Sequence, residues 1–219
     1  MCAQYTLKLD RKEILEKFKL SVPENFDQLS SRILPHSIAP VIVKDKDKLR
    51  LVSMRYSLIP NWSVEAKVKF ATYNARIETV TEKPTWKIPF QSQHCLVPLT
   101  AFFESVYTGP EAGNIIRLSH PNDETLYVAG IFDFWKNSTD ITQHFFSFSV
   151  LTQTPSQFIL EHGHDRTPIF VKENFALDWL RINSKNAEAM KTELLENAYH
   201  PPLKIEIDRA LKSGWEKRI

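Results

Sequence analysis

The sequence predicts one α+β domain spanning 1–219, with a mixed, largely antiparallel β-sheet or barrel at its centre and helices around it. Three observations carry this. Runs of apolar, aromatic and β-branched residues recur through the middle of the chain, each closed by turn residues. Helical spacing is confined to one stretch near the start and two near the end. The 219 residues, 42% hydrophobic and 25% charged, suffice for one sizeable core, and no linker, repeat or low-complexity tract divides them.

Taken in order, Ile14, Leu15 and Phe18 share one face of a helix over 11–19. From Ile38 to Leu58 the pattern is strand-like on both sides of "KDKDK", a solvated hairpin loop. "EKPTWKIPF" at 82–90 carries two prolines and is expected to be an irregular connection. Strands are expected over 94–106, 114–119, 126–135 and 144–152, bounded by "TGPEAGN", "HPNDET" and "KNSTD". Helices over 173–181 and 187–197 and a last strand at 203–208 complete the chain.

Composition excludes several classes. The net charge of +2 gives no overall basic field, so any nucleic-acid surface must be a local patch. No apolar run is long enough to span a bilayer, and the start lacks the basic-then-apolar pattern of a secretory signal. With two cysteines, Cys2 and Cys95, and no CxxC, neither a disulfide framework nor a cysteine zinc site is expected. A cytoplasmic monomer without cofactor or metal, in the cytosol or nucleoid of a bacterium and with no membrane partner, is the expectation. Cys95 is expected to pack inside a strand.

Four stretches could carry chemistry. Cys2 follows Met1, which methionine aminopeptidase removes before small residues. That would leave an α-amine of pKa about 7.7–8 beside a thiol of about 8.5, two nucleophiles active near neutral pH; the alternative is an accident of position. "TYNARIETV" alternates polar Asn74, Arg76 and Glu78 with apolar residues, which suits a cleft or an ordinary surface strand. In "CLVPLTAFFES", Glu104 ends a very apolar run. Burial there would raise its pKa toward the range of general acid–base work, whereas an edge position would leave it in water. "EHGHDRTPIF" concentrates His162, His164, Asp165 and Arg166. Its His-x-His lacks a third metal ligand at sensible spacing, so a histidine acid–base with Arg166 on a phosphate uses these residues better.

These islands, in order, resemble the SOS response-associated peptidase family of abasic-site processing proteins. The matching stretches are "MCAQ", "IAP", "MRYSLIPNW", "YNARIET", "HCLVPLTAFFES", "AGIFDFW" and "HDRTP", with "LDWL" a further match. The resemblance implies that Cys2 is the nucleophile and that Asn74, Glu104 and His164 are active-site residues. It also implies that Arg76 and Arg166 contact DNA phosphates and that Pro40 and Trp62 lie near displaced bases. Lys87, with Lys83, would extend the basic patch. The chain departs from the family pattern at Ala3-Gln4 for Gly-Arg, Ser57 for Gly, Ser105 for Trp and Thr167 for Met. None removes a proposed catalytic group; all bear on DNA contact geometry.

The implied partner is single-stranded DNA containing abasic sites, and the implied chemistry is a thiazolidine crosslink between Cys2 and the sugar aldehyde. Weak lyase activity and autoproteolytic exposure of Cys2 would accompany it. Two rival expectations are a cysteine peptidase acting on proteins through Cys2, His164 and Glu104, and a non-catalytic reader of modified bases.

Overall fold

The computed structural model describes residues 3–8, 18, 20, 32–46, 48–109, 111–181 and 186–210. Of the helix expected over 11–19, only Phe18 is among them. Its ring is buried and meets Tyr127 edge-on at 4.9 Å between centroids.

Five strands close into a barrel. β3 (Ile38–Asp45) and β4 (Lys48–Tyr56) form the expected hairpin, in register from Asp45 opposite Lys48 to Ile38 opposite Arg55. β6 (His94–Leu99) pairs with the other edge of β3, β9 (Leu126–Lys136) with β6, and β10 (His144–Gln153) with β9. β10 then returns to β4 through a parallel contact at Ser147 and Phe148. Closure removes the free edges that alternating apolar strands would otherwise expose. One face of its wall carries Ala39, Val41, Tyr56, Val97, Val128 and Phe148, all fully buried.

The seam of the barrel sets up the site. β4 leaves β10 after Tyr56, and β5 (Asn74–Arg76) takes its place, parallel to β10 at Val150, Leu151 and Thr152. The chain turns out of the wall at Ser57, whose φ of +96° is a conformation suited to glycine, while its N–H still donates to the Phe148 carbonyl at 3.1 Å. On the opposite edge of β10, β11 (Thr167–Pro168) pairs at Thr152 and Gln153. Thr152 therefore lies between Arg76 and the segment that follows Arg166.

The run expected as one strand over 94–106 divides at Thr100, where the chain passes from the barrel into a second, antiparallel sheet. β7 (Ala101–Ser105) lies there between β8 (Ile115–Ser119) and β1 (Gln4–Thr6), with β14 (Lys204–Arg209) and β2 (Arg32–Ile33) at the edges. Thr100 anchors the crossing: its N–H and hydroxyl both donate to the Thr6 carbonyl, and its Oγ1 accepts from the Lys8 N–H. β12 (Phe170–Val171) and β13 (Ala198–Tyr199) extend the first sheet beyond β9.

Among the described residues, 82–90 corrects the sequence expectation. Pro84–Ser92 is a helix, α1, rather than an irregular connection. Pro84 sits in the first turn, where no amide proton is needed. Pro89 forfeits one backbone bond, and tertiary packing offsets this. Phe90 is fully buried and Trp86 Nε1 donates to Ser149 Oγ at 3.1 Å. α2 (Gln157–Glu161) leads into the His164 segment. α3 (Glu173–Trp179) and α4 (Ala187–Glu196) match the expected helices, α4 capped by Asn186, whose Oδ1 accepts from the Ala189 N–H. His94 joins α1 to α3: its ring nitrogens lie 2.7 and 2.8 Å from the Phe90 and Trp179 carbonyl oxygens, and it stacks on the Trp179 ring at 4.0 Å. No helix among the described residues is long and apolar enough to cross a membrane.

Candidate active site

Side chains alternate along β7, so Phe102 and Glu104 share the face turned toward the core. Glu104 is consequently only 2% exposed. The next element supplies its partner. The turn after α2 passes through Gly163 (φ +74°), where a Cβ would stand 2.5 Å from the Thr108 carbonyl oxygen. Only glycine permits this approach, and it delivers His164 beside β7. His164 Nε2 lies 3.0 Å from Glu104 Oε2, with both side chains excluded from water.

The protonation of this pair follows from its neighbours. His164 Nδ1 is 3.1 Å from the Ser105 carbonyl oxygen. A carbonyl only accepts, so Nδ1 carries a proton and donates it. The Nε2–Oε2 contact then requires one more proton between histidine and carboxylate. The pair thus holds one exchangeable proton on a short, dry axis, a suitable arrangement for general acid–base work. Tyr107, which sequence reasoning passed over, stacks on the His164 ring at 5.1 Å. Partial burial raises its phenol pKa, and the charges of Glu104 and Asp165, then Tyr73, raise it further. Tyr73 directly precedes Asn74, so the start of β5 lies within electrostatic reach of the pair's surroundings.

Asn74 is buried at the start of β5, opposite Val150, and Arg76 is exposed at its end. Arg166 is 8% exposed and already engaged. Its Nη1 and Nη2 donate to the two Glu78 carboxylate oxygens at 2.8 and 2.9 Å, and Nη2 also donates to the Thr152 carbonyl at 2.8 Å. Burial pushes the Glu78 pKa up, but the hydrogen bonds and charge of Arg166, with the charge of Arg76, outweigh this and hold it below the usual carboxylate range. Arg76, Glu78 and Arg166 therefore form one charged cluster around the end of β10, with Asn74 two residues before Arg76 on the same strand.

Trp62 is 56% exposed and lines a cleft of about 430 Å³ with Phe70, Lys83, Pro84, Thr85 and Trp86. Lys87 is exposed on the adjoining helix α1. Trp86 was missed because the proline-rich "EKPTWKIPF" hid a helix presenting it to the cleft, and Phe70 because nothing local marks its loop as part of one. Pro40 is buried in β3, opposite Ser53. Cys95 is fully buried, and burial pushes its thiol pKa far up, leaving it inert. Cys2 lies outside the described residues. Two residues further on, Gln4 is opposite Phe103, the neighbour of Glu104. Among the described residues, no three His, Cys, Asp or Glu side chains gather as a metal site.

A barrel joined to a second sheet, whose inner strand β7 carries a buried glutamate paired with a histidine, is the architecture of a known class. The SOS response associated peptidase (SRAP) family model matches residues 1–208, and the chain belongs to that family. Among curated relatives, the abasic site processing protein YoqW of Bacillus subtilis is 28% identical over 190 residues, covering 86% of this chain and 83% of that protein. The abasic site processing protein HMCES of Xenopus tropicalis is 27% identical over 199 residues, covering 76% and 59%. A crystal structure from Bacteroides thetaiotaomicron superposes with a TM-score of 0.76 at 18% identity, covering 99% of this chain and 94% of that one, and shares the fold.

Proposed function

We propose that this protein processes abasic sites, capturing them covalently in single-stranded DNA through Cys2 once Met1 is removed. Family membership and the names of its relatives support the substrate. The observation that carries the chemistry is the His164–Glu104 pair, which holds one proton out of water at the end of β7 facing the entry to β1.

An abasic sugar equilibrates between a closed hemiacetal and an open aldehyde. The Cys2 amine adds to the aldehyde carbon, and the carbinolamine loses water to give an imine. The thiolate sulfur then bonds to the imine carbon and the nitrogen takes up a proton. One water is released overall, nothing is oxidised or reduced, and the product is a five-membered thiazolidine. Ring closure is intramolecular, which favours it by an effective molarity on the order of 10⁵ M or more. His164 protonates the ring oxygen as the sugar opens, and Glu104 moves the protons of carbinolamine dehydration. Asn74 orients the terminal amine or thiol. Arg76 meets a flanking phosphate, and Arg166, held by Glu78, adds positive charge behind it. Trp62, Lys83 and Lys87 offer a stacking surface and cations to the strand.

The same imine permits β-elimination, a weak lyase activity, and cleavage of the bond before Cys2 would be the autopeptidase step. The protein acts as a monomer where DNA is found, in the cytosol or nucleoid.

The test is to mix purified protein with abasic and intact single strands and examine the denatured products by intact mass. A denaturation-stable adduct is expected with abasic DNA alone, one water lighter than the sum of its parts and lacking Met1. Cys2→Ala should bind DNA but form no adduct. An adduct from Cys2→Ala, or one that retains Met1, overturns the mechanism. Acetylation of the α-amine should abolish the adduct; a peptidase that needs only the thiolate would survive it.

A further inference from the structure

We infer that Tyr107 is a positioning residue for His164, a ring that roofs the acid–base pair and holds the imidazole plane in its working orientation. The inference rests on the proposed role of His164, and no family motif identified in the sequence includes this tyrosine. It stands on three observations.

The first is the layering of the site. His164 and Glu104 have side chains 0% and 1% exposed, whereas Tyr107 is 57% exposed. The tyrosine ring lies 5.1 Å from the imidazole with an interplanar angle of 27°. One face therefore covers His164 while much of the residue meets solvent. Removing it would admit water to a pair whose proton is otherwise confined.

The second is how the two rings are held. The Tyr107 N–H donates to the Gly163 carbonyl at 2.9 Å, the Val106 N–H to the Asn114 carbonyl at 2.9 Å, and the Gly113 N–H to the Val106 carbonyl at 2.8 Å. Gly163 is pressed so closely on Thr108 that a Cβ would collide with it. Backbone contacts thus fix segment 106–108 against 163–164. The stack is built into the chain path rather than left to the rotamer of an exposed side chain.

The third is the direction imposed on the imidazole. Its Nδ1–H is held on the Ser105 carbonyl at 3.1 Å and its Nε2 on Glu104 at 3.0 Å. Those two bonds hold the ring at its edge, and the motion left to it is a residual twist about the Cβ–Cγ bond. A flat ring stacked on the face opposes that rotation. The apolar face does this, so phenylalanine should serve nearly as well as tyrosine. Ser105 stands two residues earlier, where the family pattern has tryptophan. In this chain Tyr107 thus supplies a large aromatic ring next to the pair.

The test uses Tyr107→Phe and Tyr107→Ala, with two readouts. In the DNA-free protein, ¹⁵N-resolved NMR follows the His164 Nδ1–H. Wild type and Tyr107→Phe should show one slowly exchanging Nδ1–H, and in Tyr107→Ala its exchange with water should quicken at least 10-fold. With abasic single strands, Tyr107→Ala should form adduct about 10-fold more slowly with an altered pH–rate profile, and Tyr107→Phe should restore both rate and profile. Unchanged exchange in Tyr107→Ala, or a slower rate with the wild-type pH profile, overturns the inference. Adduct formation by wild type tests the proposed function separately. If wild type forms none, that reading falls, and the exchange measurement still decides whether Tyr107 positions His164.

Discussion

Glu104 illustrates how much chemistry one buried contact can define. Its partner His164 is 60 positions away in sequence, yet the Ser105 carbonyl, immediately beside Glu104, sets the histidine tautomer. Glu104→Gln keeps the shape of the side chain but cannot carry the proton as a carboxylate does. Adduct formation should slow by about 10²–10⁴-fold, the range for losing a positioned acid–base, while thermal unfolding shows the fold retained. A rate within twofold of wild type would remove Glu104 from the scheme. Ser57 makes a different point. It holds φ +96° with its hydroxyl buried and without a partner among the described residues, at a position where the family pattern has glycine. Ser57→Gly relieves both burdens and should stabilise the protein by about 1 kcal/mol, measured by urea unfolding. The sequence pointed to Glu104 and His164 as separate candidates. It could not show that they touch, because the two lie on different elements whose meeting depends on Gly163.

The elements were unevenly legible. The β3–β4 hairpin was plain, since alternation and a charged loop are local signals. So were α3 and α4, which carry helical spacing. α1 was not, because two prolines argue against a helix and only the burial of Phe90 and the Trp86–Ser149 bond explain why it forms. The single strand expected over 94–106 is two strands in two sheets, since nothing local marks Thr100 as the crossing. β9 shows the constraint that barrel closure adds. It is flanked on both sides at Gly130, paired with Cys95 on β6 and Val150 on β10. A Cβ there would lie 2.8 Å from Cys95 Sγ and 3.2 Å from the Ser149 carbonyl oxygen. Gly130→Ala should therefore destabilise the barrel by about 1–3 kcal/mol through overpacking. Pairing it with Cys95→Ala should recover part of that loss, a comparison made in a double-mutant unfolding cycle.

Across the whole fold, electrostatics and topology meet at the end of β10, where β5 and β11 bring Arg76 and Arg166 to either side of Thr152 and Glu78 binds Arg166. Glu78 holds its proton more weakly folded than unfolded. Its contribution to stability is then complete above the ordinary glutamate pKa of about 4.3. It fades as pH falls through the lower folded value and the carboxylate is protonated. Glu78→Gln should flatten the acid limb of the stability curve below about pH 5 while leaving its neutral plateau lower, as read from melting temperature against pH. From order and spacing of motifs alone, the chain could be assigned its fold class, its family and a set of candidate residues, because such patterns are local and survive in one dimension. Contact could not be read that way. That Arg166 faces Glu78 follows from the barrel seam, and that a single proton joins His164 to Glu104 under the Tyr107 ring follows from the Gly163 turn packing on the second sheet, both of which bring residues distant in sequence into contact.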